Sequence, residues 1–262
     1  VIFLPGKIVF GIYDNIYIYI YSVCFLKNLL KLPQDMTRIN PKGPQAPLIP
    51  KGVIFDMDGL MLDTERLEIG LYVEISAKMG WPTPENMLRK TIGVKDADAL
   101  AFYKNEYGAD YPFMEIWDAV VKEEETLAEK NGLPLKTGLL VMLDKLKSLG
   151  VPIAVATSAD SKRAQWKLTR AGILDRFNIT ACGEEVKQGK PAPDIFLLAA
   201  KRLGVEPEHC IGFEDSPAGL AGLASAEIPS VFIKDLAEPS AETLATVWYR
   251  CSDLEEAATL FG

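Results

Sequence analysis

Histidine is almost missing from this 262-residue chain, where His209 stands alone. It falls in a loop between a helical stretch and an apolar run, which suits a surface residue better than a metal ligand. Cysteine is equally thin: Cys24, Cys182, Cys210 and Cys251 lie far apart with no C-x-x-C pair. That spacing excludes zinc knuckles and thioredoxin-like motifs, and a disulfide scaffold does not suit a chain this long. The thiols read as small buried hydrophobes in a reduced, cytoplasmic protein. Basic residues are outnumbered, with 28 Lys and Arg against 36 Asp and Glu and a net charge of −8. Such a chain lacks the broad positive field that nucleic acid or an anionic membrane surface requires. An anionic substrate would have to meet positive charge supplied locally, by a few Lys or Arg, a helix N-terminus or a metal ion.

Long uninterrupted apolar runs are missing too. Residues 1–30 are rich in Ile and Tyr, but Pro5, Lys7, Asp14 and Asn15 interrupt them. The clean stretch 16–26 falls short of the roughly 20 residues that a membrane-spanning helix needs. A secretory signal is not written either, since residues 1–10 carry a single Lys and no A-x-A follows Leu26. Residues 1–35 read as upstream or artificially added sequence, with the natural start near Met36. An interfacial anchor in residues 1–30 is the alternative, because Tyr and Ile favour membrane interfaces. Residues 40–51, with Pro41, Gly43, Pro44, Pro47 and Pro50, read as a linker. The chain is 48% hydrophobic and 24% charged, ordinary globular usage that excludes disordered, collagen-like and coiled-coil architectures.

From Gly52 onward, short apolar runs alternate with helical patterns. Val53-Ile54-Phe55 leads into Asp56, and Ile153-Ala154-Val155-Ala156 into Thr157-Ser158. Cys210-Ile211-Gly212-Phe213 leads into Glu214-Asp215, and Ser230-Val231-Phe232-Ile233 is a fourth run. Continuous apolar runs of this length suit parallel strands covered on both faces. Between them Leu139, Leu140, Leu143, Leu146 and Leu149 recur at helical spacing up to Gly150, as do Ile195, Leu198, Ala199 and Leu203 before Gly204. The alternation predicts an α/β fold, a doubly wound, Rossmann-like parallel sheet. One interval breaks it. Residues 65–80, about 85–90, 96–107 and 113–131 read as helices with no strand among them, an inserted all-α cap domain. The expected organisation is an N-terminal extension and linker at 1–51, an α/β core at 52–64 and 135–262, and a helical cap at 65–134.

In open parallel sheets the ligand site lies beyond the carboxyl ends of the strands. Three runs end there in groups able to act: Asp56 and Asp58, Thr157, and Glu214 with Asp215. Four carboxylates gathered at one end repel one another unless a cation lies among them. Oxygen ligands without His or Cys select a hard ion, and Mg²⁺ fits best. Asp56 and Asp58 are one residue apart and point to the same side of extended backbone. Gly59 permits a sharp turn with backbone N–H groups facing an anion. One of the two carboxylates can act as nucleophile while the other handles protons. Lys190, in Gly189-Lys190-Pro191-Ala192-Pro193-Asp194, is presented from a stiff loop and supplies the local positive charge.

Asp56-Met57-Asp58-Gly59-Leu60-Met61-Leu62-Asp63-Thr64-Glu65, Thr157, Gly189-Lys190-Pro191-Ala192-Pro193-Asp194 and Glu214-Asp215-Ser216-Pro217-Ala218-Gly219 occur in that order. Together they resemble the four motifs of the haloacid dehalogenase-like hydrolases with an inserted helical cap, over about residues 52–262. The resemblance implies that Asp56 is the nucleophile that becomes a phospho-aspartate and that Asp58 is general acid, then base. It implies that Gly59, Thr157, Ser158 and Lys190 bind the phosphoryl group. It places Mg²⁺ on the Asp56 carboxylate, the Asp58 backbone carbonyl and Asp215, with Glu214 contributing. Asp58 and the Glu214-Asp215 pair argue against the metal-free dehalogenases of the family. The β-phosphoglucomutases are similar and share Thr64, but they carry a His twelve residues after the nucleophile, where this chain has Glu68.

The expected activity is therefore hydrolysis of small phosphate monoesters, sugar or polyol phosphates, by a monomer. Mutase-type phosphoryl transfer is the alternative, and a non-catalytic binding protein that retained the fold is a further one. In the cap, residues 91–95 read as a specificity loop in which Lys95 either contacts a leaving group or is solvated. Tyr103, Tyr107, Tyr111 and Phe113 read as cap core, Trp81 as packing the end of the first cap helix, and Glu123-Glu124-Glu125 as a solvated helix face. Glu227 stands where the family has Gly, which predicts a modest penalty at a helix C-terminus.

Overall fold

The computed structural model describes residues 2–4, 7–9, 49–94 and 96–261. Two short strands, β1 (Ile2–Leu4) and β2 (Lys7–Val9), pair antiparallel. The expectations for a start at Met36, an interfacial anchor, most of the linker, Cys24 and Lys95 lie outside the described residues.

Six strands form one parallel sheet: β3 (Gly52–Phe55), β4 (Ile153–Ala156), β5 (Ile179–Ala181), β6 (Cys210–Glu214), β7 (Ser230–Ile233) and β8 (Tyr249–Cys251). Their order is β5-β4-β3-β6-β7-β8. The chain winds outward from β3 in one direction, returns, and winds outward from β6 in the other, so the switch point lies between β3 and β6. The four apolar runs are the four inner strands. The two that the run pattern misses, β5 and β8, are the edges, where strands need cover less completely and Thr180 and Arg250 interrupt the apolar residues.

Strand side chains alternate between two core layers. Val53, Phe55, Ile153 and Val155 pack with Leu139, Leu143 and Leu146 of α5 (Leu139–Ser148). The same layer holds Ala164 and Leu168 of α6 (Ser161–Arg170). Ile54, Ala154 and Ala156 pack on the opposite face with Phe196 and Ala199 of α7 (Asp194–Leu203). Each such Val, Leu, Ile or Phe side chain, fully buried, stabilises the fold by about 1.5–3 kcal/mol relative to leaving it in water. Of the leucines read as one stripe in α5, Leu140 and Leu149 are exposed, and Met142 fills the core position instead. A helix stripe about 100° wide cannot turn every apolar residue inward. Cys182, Cys210 and Cys251 are buried, and His209 is half-buried, in keeping with their expected structural roles.

Four helices lie between β3 and α5: α1 (Glu65–Lys78), α2 (Glu85–Leu88), α3 (Asp96–Tyr107) and α4 (Phe113–Asn131). They share their own aromatic cluster. Tyr103 stacks on Phe113 at 5.3 Å and on Tyr111 at 5.6 Å, and Trp81 meets Tyr111 edge-on at 5.7 Å. The aromatic residues expected in the cap core are there. The two connections to the sheet run side by side, with Asp63 N–H donating to Pro134 O at 3.0 Å and Lys136 N–H to Met61 O at 2.9 Å. One expectation fails. Glu124 is not solvated but fully buried. It lies one turn from Val120 and from Ala128 on the buried stripe of α4, so the apolar period outweighs the local run of charge.

After the sheet's central strands come α8 (Pro217–Ser225), α9 (Ala241–Leu244) and α10 (Leu254–Ala258). Glu227, just past α8, has φ = 57° and is the sole non-glycine with positive φ among the described residues. The left-handed cap at this point brings Ile228 N–H to Leu223 O at 3.0 Å, and an L side chain pays a steric penalty to adopt it. Replacing the exposed Glu227 by Gly is expected to raise stability by about 1 kcal/mol in urea unfolding, with the m-value unchanged.

Candidate active site

The ends of β3 and β6 bring the acids together. Asp56 follows β3 and is anchored by its backbone N–H on Phe213 O at 3.1 Å. Glu214 ends β6, and its Oε1 accepts the N–H groups of Asp215 and Ser216 at 3.1 and 2.9 Å, which turns Asp215 back toward Asp56. Lys190 crosses from the loop before α7. Its buried ammonium contacts Asp56 and donates to Glu214 Oε2 at 2.9 Å. Thr157, at the end of β4, is 2% exposed, and its Oγ1 accepts from Ala159 N–H at 3.1 Å, leaving its proton to donate.

Gly59 makes the sharp turn expected from sequence, but without its N–H facing an anion. Its N–H does not face open space but donates to Leu62 O at 2.9 Å. Its φ is +81°, and a Cβ would lie 2.4 Å from Asp215 Oδ2 and 2.8 Å from Glu65 Oε2. The turn closes so tightly under the acids that no side chain fits. Ser158 also differs from expectation, since its hydroxyl donates to Gly93 O at 2.8 Å and thereby ties the core to the cap loop. That loop sits as the specificity reading placed it, with Thr91, Ile92, Gly93 and Val94 all lining the cavity.

The cluster is strained electrostatically. Burial, and then the charge of Glu214, push the Asp56 carboxyl up to about 8, although Lys190 pulls the other way. Burial, with Glu65, Glu214 and Asp56 around it, raises Asp215 well above the carboxylate range. Asp58 behaves differently. Burial favours its proton, but the Lys167 ammonium and the Thr64 hydroxyl outweigh that and hold the carboxyl low. Asp56 and Asp58 therefore present one carboxyl raised and one lowered, side by side.

A cation resolves the strain. Asp56, Glu214 and Asp215 each offer a carboxylate oxygen within 4.8 Å of the others, and Glu65, Asp215 and Asp235 form a second such group. Both oxygens of the fully buried Asp215 have no hydrogen-bond partner. Buried carboxylate oxygens are rarely left so, and an all-oxygen set of this kind fits a hard divalent ion.

Asp56, Asp58, Thr157 and Ser158 open onto a cavity of about 150 Å³ between core and cap, while Lys190, Glu214 and Asp215 stand behind it. Sequence reasoning missed the residues that close its far side. Arg163 and Lys167, one turn apart on α6, reach across to Glu68 of α1 and Glu124 of α4. The signal was present: Asp160 caps α6, accepting from Arg163 N–H at 2.7 Å, so the helix starts directly beyond Thr157 and aims its first two turns at the site. Glu65 and Asp235 were also missed; Asp235 is paired with Arg66 and Lys136.

A family model described as haloacid dehalogenase-like hydrolase matches residues 50–227. A Thermotoga maritima protein named phosphorylated carbohydrates phosphatase is 32% identical over 188 residues, covering 70% of this chain and 84% of its own. A Drosophila melanogaster protein named probable pseudouridine-5'-phosphatase is 34% identical over 190 residues, 70% of this chain and 80% of its own. Among solved structures, CbbY from Rhodobacter sphaeroides in complex with phosphate superposes with a TM-score of 0.70 at 25% identity, covering 81% of this chain and 99% of that one.

The orphaned carboxylate gives a test that needs no substrate. Metal-stripped protein is expected to gain about 3 kcal/mol of stability in divalent cation at a hundred times its Kd. Asp215→Asn is expected to lose that gain while matching or exceeding the metal-stripped parent in denaturant melts. Equal stabilisation of both proteins by the cation would contradict the assignment.

Proposed function

The chain belongs to the haloacid dehalogenase-like hydrolases, and from that premise we propose that it is a Mg²⁺-dependent phosphatase of small sugar or polyol phosphates working through a phospho-aspartate. The observation that carries the reading is the meeting of Asp56, Lys190 and Asp215 at the switch point of the sheet, with the Asp215 oxygens unpartnered. The Asp56 carboxylate, the Asp58 backbone carbonyl and Asp215 would hold the ion, with Glu214 contributing. The bound ion would neutralise phosphate charge so that one anion can approach another.

The protein's own groups carry the remaining work. The Asp56 carboxylate oxygen attacks phosphorus as the bond from phosphorus to the leaving oxygen breaks. Lys190 screens the repulsion between the two anions and favours the ionised form of Asp56, which burial opposes. Thr157 donates its hydroxyl proton to a phosphoryl oxygen. Asp58, ionised beside Lys167 in the free protein, takes up a proton as the anionic substrate enters beside it, passes it to the leaving alkoxide and later takes one from the water that cleaves the acyl phosphate. The cap excludes bulk water, which strengthens each of these contacts. Glu68, where the mutases carry His, is bound to Lys167 and Arg163, and this favours hydrolysis over mutase-type transfer. The described residues contain no helix long and apolar enough to cross a membrane, and a cytoplasmic setting accords with the buried cysteines.

Phosphate release from an aryl phosphate is expected to require Mg²⁺. Asp56→Asn and Lys190→Met are each expected to lower kcat by about 10³ or more. Undiminished turnover by Asp56→Asn would refute the nucleophile assignment.

A further inference from the structure

The cavity extends from Asp56 and Asp58 into the space where the leaving group of a phosphate ester must lie. Among the described residues lining it, two are cationic, Arg163 and Lys167. Neither is available. Lys167 is 1% exposed; its ammonium contacts Asp58, donates to Glu68 Oε1 at 2.6 Å and stands 3.7 Å from Glu124. Arg163 donates to the same Glu68 oxygen at 2.9 Å, contacts Glu124, and lies over the Trp117 ring at 5.5 Å. Three carboxylates thus face two cations. Apart from Glu124, Asp58 contacts Lys167 and Glu68 contacts both cations.

Among the other described residues of the wall, none is cationic. Ile69, Leu88, Val94 and Phe113 present hydrocarbon to the cavity. The Tyr72 hydroxyl is shared with Tyr111 at 3.1 Å, and the Tyr103 hydroxyl with Thr91 at 3.0 Å. A second phosphate or a carboxylate placed here would be desolvated against apolar surface and against acids, without a free cation among the described residues to compensate.

We propose that this chamber is a charge filter, accepting phosphate monoesters whose leaving group is an uncharged polyhydroxy compound and rejecting those whose leaving group carries a second anionic group. Glu68 is the specificity-determining residue, because it occupies both cations at once from the cap side. The proposal rests on the phosphatase reading and narrows its substrate class. An uncharged leaving group packs its C–H face on the hydrocarbon wall and leaves the ion pairs intact.

The test compares kcat/KM for esters matched in size and differing in charge: sorbitol 6-phosphate against 6-phosphogluconate, with para-nitrophenyl phosphate as reference. The wild-type protein in saturating Mg²⁺ is expected to prefer sorbitol 6-phosphate by about 100-fold or more. Glu68→Gln releases positive charge into the chamber and is expected to narrow that preference by about tenfold, through a gain on 6-phosphogluconate. Equal or better turnover of 6-phosphogluconate by the wild type, with the aryl ester still hydrolysed, overturns the filter and leaves the phosphatase reading standing. Failure to hydrolyse all three esters removes both. The wild-type comparison decides by itself if the variant does not fold.

Discussion

Mutual repulsion among buried carboxylates is the constraint on which the structure turns. Asp56, Glu214 and Asp215 are brought within ligand distance of one another at the centre of the molecule, and Glu65 and Asp235 approach Asp215 from the other side. Among the described residues, Lys190 is the cation inserted directly among the first three, bridging Asp56 and Glu214. No arrangement of strands would tolerate such a cluster for packing alone, since a buried charge without a partner destabilises a fold by several kcal/mol. The cluster fits a hard cation, and much of the surrounding architecture holds these acids in place.

The backbone does most of that holding. Hydrogen bonds from Asp215 and Ser216 to Glu214 Oε1 make a carboxylate into a brace for the next two residues. The turn at Gly59 closes beneath Asp215 with no room for a Cβ, and Gly93 approaches Ser216 as closely from the cap, 2.4 Å from Ser216 Oγ to where its Cβ would lie. Cap and core thus meet through backbone contacts at one edge of the cavity and through the Glu68, Glu124, Arg163 and Lys167 ion pairs at the other. Asp58 stands where the two sets meet, held by Thr64 on the core side and by Lys167 of α6. Its low carboxyl and the raised carboxyl of Asp56 follow from this difference in company.

Much of this was legible in the chain because the inner strands of a parallel sheet must be apolar on both faces. The runs at residues 53–55, 153–156, 210–213 and 230–233 show that directly, and the acids that follow them inherit their convergence from the sheet. The edges β5 and β8 were not legible, for the opposite reason: a strand with one neighbour tolerates polar interruption and loses its signature. Gly59 and Ser158 were found, but not these hydrogen bonds: the Leu62 carbonyl that takes the Gly59 N–H lies in the same motif but reaches it only through the fold of the turn, and the Gly93 carbonyl that takes the Ser158 hydroxyl is far away in sequence. Glu124 was misread because three adjacent acids look solvated until the stripe of Ile116, Val120 and Ala128 is followed through them. Lys167 and Arg163 escaped notice because their partners lie on two cap helices, far away in sequence.

In the proposed reaction Asp56 is aimed at an incoming phosphorus atom and forms a bond to it. The most direct measurement is mass spectrometry of the protein quenched in acid during turnover of a phosphate monoester in Mg²⁺. A phosphoryl group on the peptide that contains Asp56, absent from Asp56→Asn treated identically, is the predicted result. Turnover without any phosphorylated peptide, or with the phosphoryl group on another residue, would contradict it.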